Sequence, residues 1–74
     1  MNYSISILWD SEAGVWVATS DDIKGLVLES GSLDALIEKV KYAIPELMDL
    51  NNLPKESCIP VTFRSERSEI VMVG

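Results

Sequence analysis

The sequence of 74 residues contains no histidine and a single cysteine, Cys58. One cysteine excludes an intramolecular disulfide framework, and without histidine the chain cannot build a histidine-based triad or the common zinc sites. Cys58 precedes a predicted strand, so we expect it to be a small buried apolar residue and not a nucleophile. A glycine-rich phosphate-binding loop is also missing, and we therefore expect no cofactor.

Basic residues are scarce, since six lysines and arginines face twelve aspartates and glutamates, giving a net charge of −6. An acidic surface repels phosphate backbones and attracts basic proteins, so direct nucleic-acid binding is disfavoured. The alternative is that the acids serve solubility alone. No apolar run approaches the ~20 residues of a membrane span, and the N-terminus lacks signal-peptide features. We expect a cytoplasmic protein without membrane association.

The chain is close to the lower size limit for a self-sufficient core, because about 60 residues bury only roughly 60% of their unfolded surface. Its 47% hydrophobic and 24% charged residues are typical of a globular protein. We expect one domain over residues 1–74. Burial is then completed by a protein partner or by oligomerisation, most simply as a homodimer.

The strongest local signal is an amphipathic helix from Leu33 to about Asn51. Ser32 can cap its first turn by accepting a backbone hydrogen bond. Pro45 predicts either a kink near Lys41–Ile44 or a restart of the helix. Apolar residues recur at spacings of three and four, as on one helix stripe. They are Leu33, Leu36, Ile37, Val40, Ile44, Leu47 and Leu50.

Two strands are predicted before this helix as a hairpin. Apolar residues alternate from Tyr3 to Trp9, and the segment Val15–Thr19 is β-branched and aromatic. The acidic stretch Asp10–Gly14 between them predicts the turn.

Further strands flank the helix. A third short strand is predicted over Gly25–Ser30, and a loop over Asn51–Glu56 leads to a fourth strand over Ile59–Phe63. Pro60 indicates the start of that strand or a sheet edge. Ser65–Ser68 is a polar interruption, and the pattern leaves open whether the following apolar run pairs back or continues as an arm.

Together these elements predict an α+β fold of order βββαβ(β). A three-stranded antiparallel meander followed by a helical crossover places the fourth strand beside the first and parallel to it. The predicted architecture is a two-layer sandwich with sheet order 3-2-1-4 and one helix on one face. The outer face of the sheet is then uncovered.

The register of the first hairpin decides which side chains occupy that outer face. If Ile7 faces Val17, Leu8 and Trp16 lie on the outer face with Val27 nearby. The inward side chains are then Ile5, Ile7, Trp9, Val15 and Val17. A shift by one residue buries Trp16 instead. We favour the first register and predict partner contacts at Leu8, Trp16 and Val27, because exposed apolar neighbours usually mark a contact surface.

Several stretches, taken in order, resemble the HicB-like antitoxins of bacterial toxin–antitoxin pairs. They are Tyr3-Ser-Ile-Ser-Ile, the acidic turn to Gly14, Val15-Trp-Val-Ala, Ser20-Asp-Asp-Ile-Lys-Gly25 and Leu26-Val-Leu-Glu-Ser-Gly-Ser with the helix, covering roughly residues 3–51. The family carries Pro-Asp-Leu-Pro-Gly where this chain has Asp21-Asp-Ile-Lys-Gly25, which keeps an acid, an aliphatic residue and the glycine but neither proline. The segment Trp9–Ser20 is more similar still to a subfamily of small uncharacterised bacterial proteins.

The resemblance implies a partial RNase H-like fold without nuclease activity. It also implies a small basic HicA-like toxin that cleaves mRNA and is neutralised when the antitoxin covers its active surface. Full-length members add a C-terminal DNA-binding domain. After Ser65 this sequence has no basic helix, so we expect neither that domain nor operator binding. The alternative functions are an orphan structural or regulatory domain without a toxin, and a degenerate metal-dependent nuclease.

Acidic residues in the turns are the remaining candidates for a functional role. Because turn and loop acids are mostly solvated, we predict no catalytic or metal-binding residues and no enzymatic activity. Asp10, Glu12, Asp21 and Asp22 are predicted to contact a basic partner instead. The alternative is that Asp21 and Asp22 cap their own loop.

The outer sheet face and the final apolar run are the two candidate homodimer contacts. An apolar strand edge can pair with a second chain. The residues predicted to make this contact are Ile70, Val71, Met72 and Val73.

Overall fold

The structure is a computed structural model and describes residues 2–53 and 58–74. Its elements in chain order are β1 (Tyr3–Asp10), β2 (Val15–Thr19), β3 (Val27–Ser30), α1 (Leu33–Leu50) and β4 (Val61–Glu66). The strands form a four-stranded sheet of order β3-β2-β1-β4, in which β4 runs parallel to β1 and the other neighbours are antiparallel. The predicted α+β class, sheet order and single helix are confirmed.

Helix α1 begins as its cap predicts. The hydroxyl of Ser32 accepts a hydrogen bond from the amide of Ala35 at 3.3 Å. The helix then runs unbroken through Pro45, so the restart, one of the two predicted alternatives, is wrong. Only one backbone donor is lost at a proline, and the turns on both sides are held by buried side chains. The buried side chains of the helix are Leu36, Val40, Ile44 and Met48.

The last turn of α1 corrects the predicted stripe. The buried positions of the whole helix recur every four residues. Because one turn takes about 3.6 residues, the buried stripe moves slightly around the helix at each step. Met48 therefore faces the sheet near the end of the helix, while Leu50 is 77% exposed. The prediction that Leu50 belongs to the buried stripe is wrong.

The core lies between α1 and the inner face of the sheet. Ile5 and Ile7 of β1 and Ala18 of β2 are at most 1% exposed. The connection from β2 to β3 adds Ile23 and Leu26, which are also buried and close one side of this core. Ile23 lies in a segment predicted as a loop, whereas Leu26 was predicted in the third strand but precedes β3, which begins at Val27. The β2–β3 connection therefore carries part of the packing.

The register of the β1–β2 hairpin differs from the favoured prediction. Ile7 faces Ala18, and Trp9 faces Trp16. Trp16 consequently lies on the inner face, half-buried, and its predicted position on the outer face is wrong. Two side chains predicted inside lie outside instead: Val15 and Val17.

The turn between the two strands fixes this register. The carboxylate of Asp10 accepts hydrogen bonds from the amides of Glu12 and Ala13 at 3.1 and 3.2 Å, and the amide of Gly14 donates to the carbonyl of Asp10 at 2.8 Å. Gly14 has a φ of +68°, which glycine adopts without steric cost. This four-residue loop places Asp10 opposite Val15 and shifts the pairing by one residue from the favoured one.

The segment before and through β4 shows one confirmation and two corrections. Pro60 precedes β4, which is an edge strand as the proline indicates. The strand continues through Ser65 and Glu66, which were predicted to interrupt it. Cys58 is exposed, so its predicted burial is wrong. It lies before Val61, where the pairing with β1 begins, and is therefore not held against the sheet. The predicted loop 51–56 lies partly outside the described residues.

Candidate protein-binding surfaces

The outer face of the sheet carries a contiguous apolar surface across three strands. Leu8 lies opposite Val17, and Val27 continues the surface on β3, where it pairs with Thr19. Leu8 is 53% exposed and Val27 69% exposed. The helix packs on the other face, so nothing among residues 2–53 and 58–74 covers this surface. We call Leu8, Val15, Val17 and Val27 the outer patch.

Charged residues surround the outer patch. Glu66 lies opposite Leu8 and Glu29 lies opposite Val17, while Asp10 ends β1 beside the patch. Arg64 is the basic residue of β4 on this face. The outer patch therefore combines an apolar centre with a mainly acidic rim, which is the composition of a protein-contact surface for a basic partner.

An open depression lies beside the patch, between β1 and β4. Its lining consists of Ser6, Leu8, Arg64, Ser65 and Glu66. These residues offer an aliphatic wall, two hydroxyls and one charge of each sign. Such a depression can accept a protruding side chain of a partner.

The acids of the hairpin turn divide into a structural residue and a free one. The side chain of Asp10 holds the turn through its bonds to two backbone amides. Glu12 is exposed at the tip of the same turn. Contact with a partner stays a prediction for both residues. Glu12 is better placed for it, because it is exposed and the Asp10 carboxylate is already bonded within the turn.

Asp22 is tied to the sheet by a specific contact. Its carboxylate accepts a hydrogen bond from the amide of Ser4 at 2.7 Å, where β2 no longer pairs with β1. The hydroxyl of Ser20 donates to the carbonyl of Ser4 at 2.7 Å and accepts from the amides of Asp22 and Ile23. Asp22 therefore caps β1, whereas Asp21 is exposed and its predicted partner contact stays a prediction.

A second surface, which no sequence pattern indicates, lies on the inner side of the sheet. The rings of Trp9 and Trp16 meet edge to face, with centroids 5.2 Å apart. The guanidinium of Arg67 lies 3.9 Å above the Trp9 ring, and its Nε donates to Glu69 at 2.6 Å. We call Trp9, Trp16 and Arg67 the indole cluster.

The position of Arg67 follows from the pairing of β1 with β4. Leu8 pairs with Glu66, so the next step of the same parallel register brings Arg67 beside Trp9. A cation over an indole face is attracted by the ring quadrupole. This contact lies directly after Glu66, the last residue of β4. No local pattern reveals it, because the register of a crossover strand is not encoded within the strand.

Beyond the indole cluster the chain continues as an exposed segment. We call residues 69–73 the C-terminal arm. Its four apolar side chains are 75–94% exposed. The longest dimension of the molecule is 54 Å against 21 and 18 Å for the others, and the radius of gyration is 14.3 Å, whereas a compact chain of this length has about 11 Å. The arm thus projects from the body, and its predicted oligomer contacts stay a prediction.

Two absences apply to the described part of the chain. Within residues 2–53 and 58–74, no three cysteine, aspartate or glutamate side chains are grouped so that they could hold a metal ion. Over the same residues no helix is long and apolar enough to cross a membrane.

Comparison with known proteins identifies a family that spans nearly the whole chain. The model of a domain of unknown function, DUF1902, matches residues 2–73. The chain belongs to this family. The crystal structure of the hypothetical protein TTHA1013 from the extremely thermophilic bacterium Thermus thermophilus is 38% identical, with 99% of this chain and 100% of that chain covered and a TM-score of 0.74. A search of curated proteins finds no match.

The extent of these matches bears on the surfaces described above. The DUF1902 match includes β4 and the arm as well as the meander and α1. The arm is therefore part of the family's domain and not an appendage to it.

Proposed function

We propose that this chain is a non-catalytic protein-binding module of the HicB-like antitoxin type, which neutralises a small basic mRNA-cleaving toxin by covering its active surface. The observation that supports this most strongly is the outer patch, an uncovered apolar surface with an acidic rim on a chain of net charge −6. The proposal assigns no chemical step to the chain and places it in the cytoplasm, where the mRNA is.

The chemistry of the patch suits such a partner. A protein that cleaves RNA presents basic residues to the phosphate backbone. Glu29 and Glu66 on the outer face offer carboxylates to those residues, which raises the association rate. Leu8 and Val27 contribute the apolar centre, and fully covering side chains of this size contributes at most about 1.5–3 kcal/mol each.

The observed register moves the proposed anchor. Trp16 is predicted from the sequence to contact the partner on this surface, but it is half-buried on the inner face. The aliphatic side chains Leu8, Val17 and Val27 take that role in the proposal. The loop acids Glu12 and Asp21 act at longer range by steering the partner.

The proposal predicts that a small basic protein is encoded beside this chain's reading frame, and the test uses that protein. RNA cleavage by that protein is measured with increasing amounts of this chain, and affinity by calorimetry. We expect inhibition at one chain per toxin. Leu8→Lys and Val27→Lys should each weaken binding by at least about tenfold, because a charge enters the apolar centre.

A matched control separates the outer patch from general charge effects. Tyr42 is 81% exposed on the helix. Tyr42→Lys changes the net charge by the same amount and should leave binding unchanged. Equal weakening by Tyr42→Lys contradicts the assignment to the outer patch. Absence of both inhibition and binding rejects the antitoxin and leaves the orphan structural or regulatory domain.

A further inference from the structure

We infer that the C-terminal arm docks on a second copy of this chain, lying antiparallel along the free edge of that copy's β4, with the two arms exchanged reciprocally. This interface uses the edge of the sheet and not the outer patch, so it does not depend on the proposed toxin binding. Four observations on β4 and the arm carry the inference.

Among residues 2–53 and 58–74, nothing covers the apolar side chains of the arm. Ile70, Met72 and Val73 are at least 90% exposed and Val71 is 75% exposed. Contiguous exposed apolar residues of this kind mark an interaction site. The arm continues β4 without an intervening turn among the described residues, so its extended backbone is already suited to strand pairing.

The inner side of β4 is left partly open by the helix. The close backbone contacts of α1 are with β2 and β3, at the opposite side of the sheet. Val61 and Phe63 of β4 face the helix side but are only half-buried. An apolar strand placed next to β4 would cover both of them.

The two edges of the sheet are not equally available. At the β3 edge, the ammonium group of Lys39 donates to the carbonyl of Glu29 at 3.2 Å. Along the free edge of β4, no side chain of residues 2–53 or 58–74 makes such a bond. Unpaired backbone groups on an edge strand are a template for an added strand. The open edge is therefore that of β4.

The sequence of the segment is compatible with pairing to itself. The stretch 61–73 holds two arginines and two glutamates and is therefore neutral, although the whole chain has a charge of −6. Two copies can thus meet at this segment without repulsion between like net charges. The arm of five residues is close in length to β4 with six. Reciprocal pairing of one segment with its own copy is a two-fold symmetric interface, in which the same residues serve both protomers.

The indole cluster predicts which arm side chains face the partner's core. Arg67 lies on the inner side, above Trp9. Strand alternation then places Val71 and Val73 on the inner side, toward the half-buried apolar side chains of the second copy's β4, and the arm residues between them outward. Val71 and Val73 are thus the expected anchors.

The first test is the mass of the full chain in solution by light scattering. We expect about twice the chain mass of 8.2 kDa at concentrations of roughly 100 µM. Val71→Lys should raise the dimer dissociation constant by at least about tenfold with unchanged circular dichroism, because the arm is outside its own chain's core. Tyr42→Lys, with the same change in charge, should stay dimeric. A single-chain mass for the unmodified protein, or dimerisation unaffected by Val71→Lys, overturns the inference.

The second test identifies the partner segment directly. Isotope-filtered nuclear Overhauser spectra are recorded on an equal mixture of labelled and unlabelled chains. We expect contacts between the methyl groups of Val71 and Val73 in one chain and the ring of Phe63 in the other. Arm contacts within one chain only, or arm contacts that arise only when the basic partner is added, overturn the inference. Neither result bears on binding at the outer patch.

Discussion

The two faces of the sheet differ although they are built from neighbouring residues of the same strands. On β1, Ile7 is 1% exposed and the next residue, Leu8, is 53% exposed. One helix covers the inner face, and no second layer among the described residues covers the outer one. Because only one layer covers the sheet, the apolar residues of its inner face stabilise the fold, and those of its outer face are available to bind a partner. Substitutions one residue apart should therefore separate folding from binding.

The largest effect is expected at the centre of the inner face. Ile5→Ala removes a fully buried side chain from a central strand and should cost about 3 kcal/mol of unfolding free energy. A domain of this size has about 4–11 kcal/mol in total, so the loss is readily measured by urea denaturation. Leu8→Ala on the outer face should cost less than about 1 kcal/mol. Similar losses for the two variants contradict the division between the faces.

A smaller effect is expected in the loop that closes the inner face. Gly25 has a φ of +90°, and the atom of the described residues that an added Cβ would meet is Leu47 Cδ2, at an ordinary 3.6 Å. Gly25→Ala should therefore cost about 1–2 kcal/mol from backbone strain alone. Gly31→Ala is the control, because its nearest atom to an added Cβ lies at 4.0 Å and its φ is not positive. Thermal denaturation showing equal stability for the two variants is inconsistent with strain at Gly25.

The loop acids provide a third comparison, between two neighbouring residues. Asp22→Ala removes the acceptor for the Ser4 amide and should cost about 1 kcal/mol of stability. Asp21→Ala should change stability by less than about 0.5 kcal/mol and act on partner association instead. The two variants are compared by urea denaturation and by association rates at low and high salt. A stability loss at Asp21 equal to that at Asp22 refutes the distinction.

The smallest effect is expected at the indole cluster. Arg67→Ala removes a cation that lies 3.9 Å from the Trp9 ring and should cost about 0.5–1 kcal/mol. Tryptophan fluorescence should change as well, because the environment of the indole changes. Arg64 lies on the outer face of β4, three residues before Arg67, so Arg64→Ala should leave the fluorescence unaltered. An identical spectral change in the two variants speaks against the cluster.

Much of the fold was predictable from local signals. The Ser32 cap and the spacing of the apolar residues predict α1, and short connections with one crossover predict the sheet order. The favoured hairpin register was wrong, and the observed register is the alternative shift by one residue that buries Trp16. The hydrogen bonds of Asp10 within the turn decide the pairing and place Trp16 and Ala18 inside.

The candidate surfaces were predictable only in part. Leu8 and Val27 were placed on the outer face correctly, since alternation along each strand is a local property. The contact of Arg67 with Trp9 depends on how β4 aligns with β1 across a long connection. Neither strand's own sequence determines that alignment, and the length of the crossover leaves several registers open.

The most direct test of the outer patch as the binding surface is amide chemical-shift mapping of the labelled chain during titration with the basic partner. The proposal predicts perturbations concentrated at Leu8, Val17 and Val27 and at the acids around them, with the exposed side of α1 unchanged. Perturbations confined to the exposed side of α1, or none at saturating partner, would contradict it.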